Sequence, residues 1–254
     1  VIIISSSLFG QTDLGSFILK NTTNVKSISI YDTSFADLEP LGIAIKDFSV
    51  IMLGEMWHGD GATFEAKARI IRFLHEKHNF NILAFESDFY SLTKGFEKLN
   101  GRGVVFDSLI KNNIFSYWSQ STQCKPLFDY IRLDSSLKLC GIDNQLKGEF
   151  CRTNLKSDLS AYINISNLDF LKTEYYKNQF WNDFDSSLFV FTEFSWKNKV
   201  RYRKDALKRL IIAIDTITYQ LSAKNPVTDF PYQTLLSYRS LCNMFVNLND
   251  FNIA

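Results

Sequence analysis

Phe48-Ser49-Val50-Ile51-Met52-Leu53-Gly54-Glu55-Met56-Trp57-His58-Gly59-Asp60-Gly61 is a short apolar run that breaks into a loop holding glycines, a glutamate and a histidine. Two later runs have the same strand-like character, Ile82-Leu83-Ala84-Phe85 and Leu137-Lys138-Leu139-Cys140-Gly141-Ile142. Short apolar runs with little polar alternation suit parallel strands covered on both faces. Residues 62–77, between the first two runs, repeat apolar positions at a helical period. Strand, helix, strand predicts a βαβ unit, and the three runs together predict an α/β fold with a parallel sheet.

Helical patterns follow at about 90–99 and 126–133. Beyond Asp143 strand signals nearly stop, and residues 150–163, 168–181, 196–222 and 232–248 read as helices. The expected organisation is an α/β part over residues 11–148 and a helical subdomain over 149–254. The opening Val1-Ile2-Ile3-Ile4, with three serines, Leu8, Phe9 and Gly10 after it, reads as the remnant of a signal peptide over 1–10. Export to the periplasm or beyond is therefore expected, with the cytoplasm as the alternative.

Composition narrows the function classes. The 254 residues carry 28 Lys+Arg against 27 Asp+Glu, so the +1 net charge provides no general field for attracting phosphate backbones. Nucleic acid is excluded as a partner on that ground. The 46% hydrophobic and 22% charged content is that of a globular chain, not a disordered one. No apolar run approaches the roughly 18 residues of a membrane span. Cys124, Cys140, Cys151 and Cys242 form no C-x-x-C pair, and buried thiols are the favoured reading.

In open α/β sheets chemistry collects at the carboxyl ends of strands. There the first run delivers Glu55 and His58, framed by Gly54, Gly59 and Asp60. The second ends in Glu86-Ser87-Asp88 and the third in Asp143-Asn144-Gln145. Three acidic residues in register at one edge predict a site in which Glu55 and Glu86 face one crevice. A histidine beside a carboxylate is a general-base pair, because imidazole titrates near neutral pH and the carboxylate fixes its tautomer. The loop matches neither G-x-G-x-x-G nor a P-loop. On the following helix Ala66, Ile70, Ile71, Phe73 and Leu74 form an apolar arc, and Glu65, Arg69, Arg72 and Glu76 an arc read as solvated. Lys67 falls inside the apolar arc near the predicted site edge, which marks it as a cation for a developing oxyanion. His75 and His78, at i and i+3, lack a third ligand and are not taken as a metal pair.

The string 53–59, the helix from Phe64-Glu65-Ala66-Lys67 to Leu74, and Phe80 through Glu86 resemble the erythromycin esterase family. Asp37-Leu38-Glu39-Pro40-Leu41, Trp118-Ser119, Gly141 through Gln145 and the Tyr238-Arg239-Ser240 helix resemble its other landmarks. The resemblance implies hydrolysis of an ester or lactone, a macrolide in the named members, and a link to antibiotic resistance. It assigns His58 as the base that activates water, with Glu55 and Glu86 beside it and no bound cofactor. No G-x-S-x-G elbow is present, which agrees with a water nucleophile.

The chain departs from that pattern in three places. Lys67 stands for the family's helix arginine and Ala62 for an acidic residue, and the only histidines are His58, His75 and His78. The family's second histidine segment is thus expected beyond Ala254, and the sheet is expected to have a poorly supported edge. Two other readings use the same residues. One is a non-catalytic or altered-function homologue in envelope or polysaccharide metabolism. The other is a metal-dependent hydrolase with Glu55, His58 and Glu86 as ligands. The expected partner in the main reading is a small-molecule ester or lactone, with Gly54, Gly59, Asp60 and Asp143 near it.

Overall fold

A computed structural model describes residues 15–16, 20, 22–54, 57–99, 104–134, 136–193, 202–224 and 227–248. The expected signal remnant over 1–10 and Glu55 lie outside them. The chain divides into two compact units, residues 1–81 with 122–127, and residues 82–121 with 128–254.

The first unit is built on helix α1 (Glu39–Ile45) and helix α2 (Gly61–His78). Asp60 starts α2 by accepting the Thr63 N–H at 3.3 Å, and Asn79 ends it in the left-handed conformation at φ 59°. Its buried face, including Phe73 and Leu74, meets Phe35, Leu38 and Ile45 in a small core. The Phe35 and Phe73 rings lie 5.4 Å apart.

Residues 48–54 are not a strand, so the βαβ unit expected around α2 is not formed. A strand needs a ladder partner, and the hydrophobicity of a segment cannot supply one. Phe48, Val50 and Met52 are exposed instead, while Ile51 packs on the small core.

The second unit carries the sheet. Strand β1 (Ile82–Asp88) leads into helix α3 (Phe89–Glu97), helix α4 (Val104–Asn113) and the single turn α5 (Ser116–Ser119). Helix α6 (Lys125–Leu133) then precedes strand β2 (Lys138–Asp143). The two strands pair in parallel, and among the described residues they form the whole sheet. The α/β class therefore holds as a mostly helical chain around a small parallel pair, with two strands rather than three.

Pairing runs from Ile82↔Lys138 to Phe85↔Gly141 and resumes at Asp88↔Asp143, three steps on β1 against two on β2. This bulge breaks the alternation of faces, so Ser87 and Asp88 are both buried while Glu86 stays exposed. Gly141 is what permits the bulge, since a Cβ there would sit 2.2 Å from the Asp88 carbonyl oxygen and 2.6 Å from that of Ser87. Both obstacles are backbone, so Gly141→Ala is expected to destabilise the fold by about 3 kcal/mol. Urea unfolding checks this, and a loss under about 1 kcal/mol would mean that the strands separate without cost.

The remaining helices hold the main core. They are α7 (Glu149–Ile165), α8 (Trp181–Glu193), α9 (Lys204–Ser222) and α10 (Phe230–Asn247). A 3-10 turn (Asp169–Lys172) and a π turn (Tyr176–Phe180) join α7 to α8, where one continuous helix over 168–181 was expected. The core is aromatic. Phe184 stacks on Tyr238 at 4.5 Å, and the buried Tyr238 hydroxyl lies 2.6 Å from Ser187 Oγ. Asp183 is likewise buried and accepts from Tyr175, Gln179 and a two-pronged Arg209. All four cysteines are free thiols, with Cys140 half-buried and the others buried.

Candidate functional site

In the first unit the candidate residues collect at the head of α2. His58 and Gly59 form the turn, Asp60 caps the helix, and Lys67 lies two turns in. His58, Gly59, Asp60 and Gly54 are exposed, and Trp57 beside them is 75% exposed. The backbone is not left-handed at Gly54, Gly59 or Gly61. Gly59 answers to packing instead, because a Cβ there would lie 2.7 Å from the Trp57 indole nitrogen.

The Asp60 carboxylate is committed to the helix. It takes the Thr63 N–H and the Thr63 hydroxyl. These bonds hold its pKa below the ordinary carboxylate value, and the Lys67 ammonium adds to the same shift. Lys67 is half-buried, with Nζ 5.8 Å from the Phe64 ring centre. Its stem follows apolar surface while its charge is felt at the helix start. A histidine, a helix N-terminus and a lysine thus share one end of α2, the equipment for activating water and holding negative charge.

The opposite arc of α2 corrects the sequence reading. Arg69, read as solvated, is 1% exposed. Residues 22–37 fold over it, and they have no periodicity to announce that cover. Arg72 is half-buried too and donates to the Ile30 carbonyl at 2.8 Å and to Glu76 at 2.6 Å. His75 is buried, and His78 sits edge-on to Phe73 at 4.8 Å.

Glu86 and Asp143 belong to the second unit. Glu86 stands within β1, on its exposed side, rather than at its end. Asp143, at the end of β2, turns onto its own loop and accepts the Gln145 N–H at 2.9 Å and the Gln145 side-chain amide at 3.0 Å. The acid at the carboxyl end of β1 is Asp88, which the sequence reading passed over. Its signal is present in Asp88-Phe89-Tyr90-Ser91, an N-cap followed three residues later by a hydroxyl. Among the described residues no cluster of three or more His, Cys, Asp or Glu is placed to hold a metal ion, and no helix is long and apolar enough to cross a membrane.

No protein-family model matches the sequence. The chain is 33% identical over 124 residues to the "Putative hydrolase YbfO" of Bacillus subtilis (strain 168), a match spanning 47% of this chain and 27% of that protein. Two solved structures share the fold. A protein from Bacillus cereus superposes with a TM-score of 0.67 at 18% identity, over 93% of this chain and 57% of that one. A succinoglycan biosynthesis protein superposes with a TM-score of 0.66 at 14% identity, over 96% of this chain and 59% of that one. This chain therefore spans little more than a quarter of the curated relative and under two thirds of each structural one.

Proposed function

We propose that the chain belongs to a hydrolase in which His58 activates water for attack on an ester or lactone carbonyl. The observation that carries this reading is the similarity to a protein named as a hydrolase, joined to a loop that sets His58 at the start of an 18-residue helix. Glu55, next to the turn in sequence, is the carboxylate that orients the imidazole, and Glu86 enters as a second carboxylate through the family resemblance. The proton leaves water for the histidine as the oxygen attacks. The negative charge that forms on the carbonyl oxygen is met by the N-terminus of α2 and by Lys67. No serine nucleophile is required: the acyl–oxygen bond breaks, the imidazolium of His58 returns its proton to the departing alkoxide, and the acid and the alcohol are released.

The test is a hydrolysis screen of the full-length gene product against p-nitrophenyl esters and macrolide lactones. His58→Ala is expected to lower kcat/KM at least about 100-fold, the usual worth of a general base. Lys67→Ala is expected to lower kcat more than it raises KM, because its charge acts on the developing oxyanion. Full activity in His58→Ala would overturn the reading. Loss of activity on chelation and its return with one metal would favour the metal-dependent alternative. The fold likeness to a succinoglycan biosynthesis protein motivates the second reading, a role in surface polysaccharide metabolism. A gene product that hydrolyses none of these esters or lactones but binds a surface polysaccharide would favour it.

A further inference from the structure

The turn that carries His58 also carries an indole. Trp57-His58-Gly59-Asp60 closes through the Asp60 N–H, which donates to the Trp57 carbonyl at 3.3 Å. Asp60 then fixes the turn to α2 through the N–H and hydroxyl of Thr63. A second segment of the same unit braces the helix start, where Gln123 packs on Gly61: a Cβ at Gly61 would lie 3.0 Å from the Gln123 amide carbon. The indole is seated on this braced turn. A Cβ at Gly59 would lie 2.7 Å from its Nε1 and 3.0 Å from its Cδ1. The Gly59 backbone is not left-handed, so the ring and not the backbone is what calls for glycine there. Trp57 nevertheless stays largely exposed. A large aromatic side chain is thus held in place directly beside the proposed base without being buried.

We infer that Trp57 is a specificity-determining residue of the proposed hydrolase, its indole receiving a flat ring that the substrate carries next to the ester or lactone carbonyl. The assignment rests on the hydrolytic reading and names its substrate class, ring-bearing esters in preference to esters of short or flexible chains. A broad π surface with two side-chain torsions gives up little entropy when it binds, and a stacked or edge-on ring gains beyond its buried area. A flexible chain laid on the same surface would lose rotamer freedom to make weaker contacts. Because Trp57 precedes His58 in one closed turn, a ring on the indole brings its attached carbonyl toward the imidazole.

Three esters test the assignment by pH-stat titration of the full-length gene product. They are ethyl acetate, ethyl benzoate and phenyl acetate, the last two with the ring on the acyl and on the alcohol side. The quantity read is the ratio of kcat/KM for a ring ester to kcat/KM for ethyl acetate. Trp57→Ala is expected to lower that ratio about tenfold for at least one ring ester, the upper worth of one aromatic pair, and mainly through KM. Trp57→Phe should recover most of the ratio. A general packing defect lowers all three rates alike, so an unchanged ratio for both ring esters would overturn the assignment. A second measurement needs no turnover. Ring esters titrated into His58→Ala should quench tryptophan fluorescence saturably, and adding Trp57→Phe should remove that component. If the wild type cleaves none of the three esters, the hydrolytic reading falls by itself. The ring platform then stands on a saturable quench that depends on Trp57 and is overturned by its absence.

Discussion

Asp88→Ala is expected to cost the second unit about 3 kcal/mol or more, a large share of the 5–15 kcal/mol that holds an ordinary domain together. Asp88 is fully buried and accepts three hydrogen bonds, from the Ser91 N–H at 2.8 Å, the Ser91 hydroxyl at 2.8 Å and the Gly148 N–H at 3.0 Å. The first of these caps α3, and the last ties β1 to the N-terminus of α7. Burial pushes the Asp88 pKa upward, and the backbone donors oppose it. The two helix N-termini also favour an anion at this point.

The network has a direction. The Ser91 hydroxyl accepts the Cys151 N–H at 2.8 Å and so gives its single proton to Asp88. Asparagine at position 88 keeps the shape and still fails. Its amide group must face either the Ser91 N–H or the Gly148 N–H, and neither can turn into an acceptor. Asp88→Asn is therefore expected to cost about 1–3 kcal/mol. Urea unfolding gives the energies, and hydrogen exchange should show the first turns of α3 and α7 opening together. A loss below about 1 kcal/mol for Asp88→Ala would mean that water replaces the carboxylate freely.

This node marks where reading the sequence stops working. Helical period located α2 to within a residue at each end, and it found α7 and α10 nearly as well, because each helix carries its signal in its own residues. The strand pair β1 and β2 was legible from apolar runs. Residues 48–53 have the same composition as a strand and are not one, since pairing is decided by a partner elsewhere in the chain. Glu86 was favoured over Asp88 because it directly follows the apolar run 82–85 and so reads as the strand end. The bulge that reverses this depends on Gly141, more than fifty positions away. The placement of His58 in the turn before α2 and of Lys67 half-buried on it was legible from loop position and helical arc. The buried role of Arg69 could not, because the segment that covers it is irregular and reads as loop.

Arg69→Met is expected to destabilise the first unit by about 3–5 kcal/mol, the range for stripping one partner from a buried ion pair. The Arg69 guanidinium grips both Asp37 oxygens, at 2.7 and 2.9 Å, and donates to the Ser27 and Ser34 carbonyls at 2.7 Å each. Of the three guanidinium nitrogens, Nε is the one with no hydrogen-bond partner among the described residues. Asp37 in turn accepts the Lys26 N–H at 2.7 Å, so one pair pins the whole 26–37 segment onto α2. Arg69→Lys keeps the charge but not the planar fork, and it should recover less than half of the loss. The double variant Arg69→Met/Asp37→Leu should be more stable than Arg69→Met alone, because it leaves no unpaired buried carboxylate. It should stay below wild type, because the two serine carbonyls remain without a donor.

The same pair sets an acid sensitivity whose sign can be worked out. Its hydrogen bonds to Arg69 hold the Asp37 carboxyl well below the ordinary carboxylate range. A depressed pKa means that the unfolded chain binds a proton first as pH falls, so the contribution of Asp37 is complete above about pH 4 and fades below it. The measurement is the stability difference between wild type and Asp37→Asn from pH 7 to pH 2, which cancels the other carboxylates. The gap should be constant down to about pH 4 and then narrow. A gap that stayed constant through pH 2 would show that Asp37 acts by shape and hydrogen bonding alone, and the ionic account of this anchor would fail.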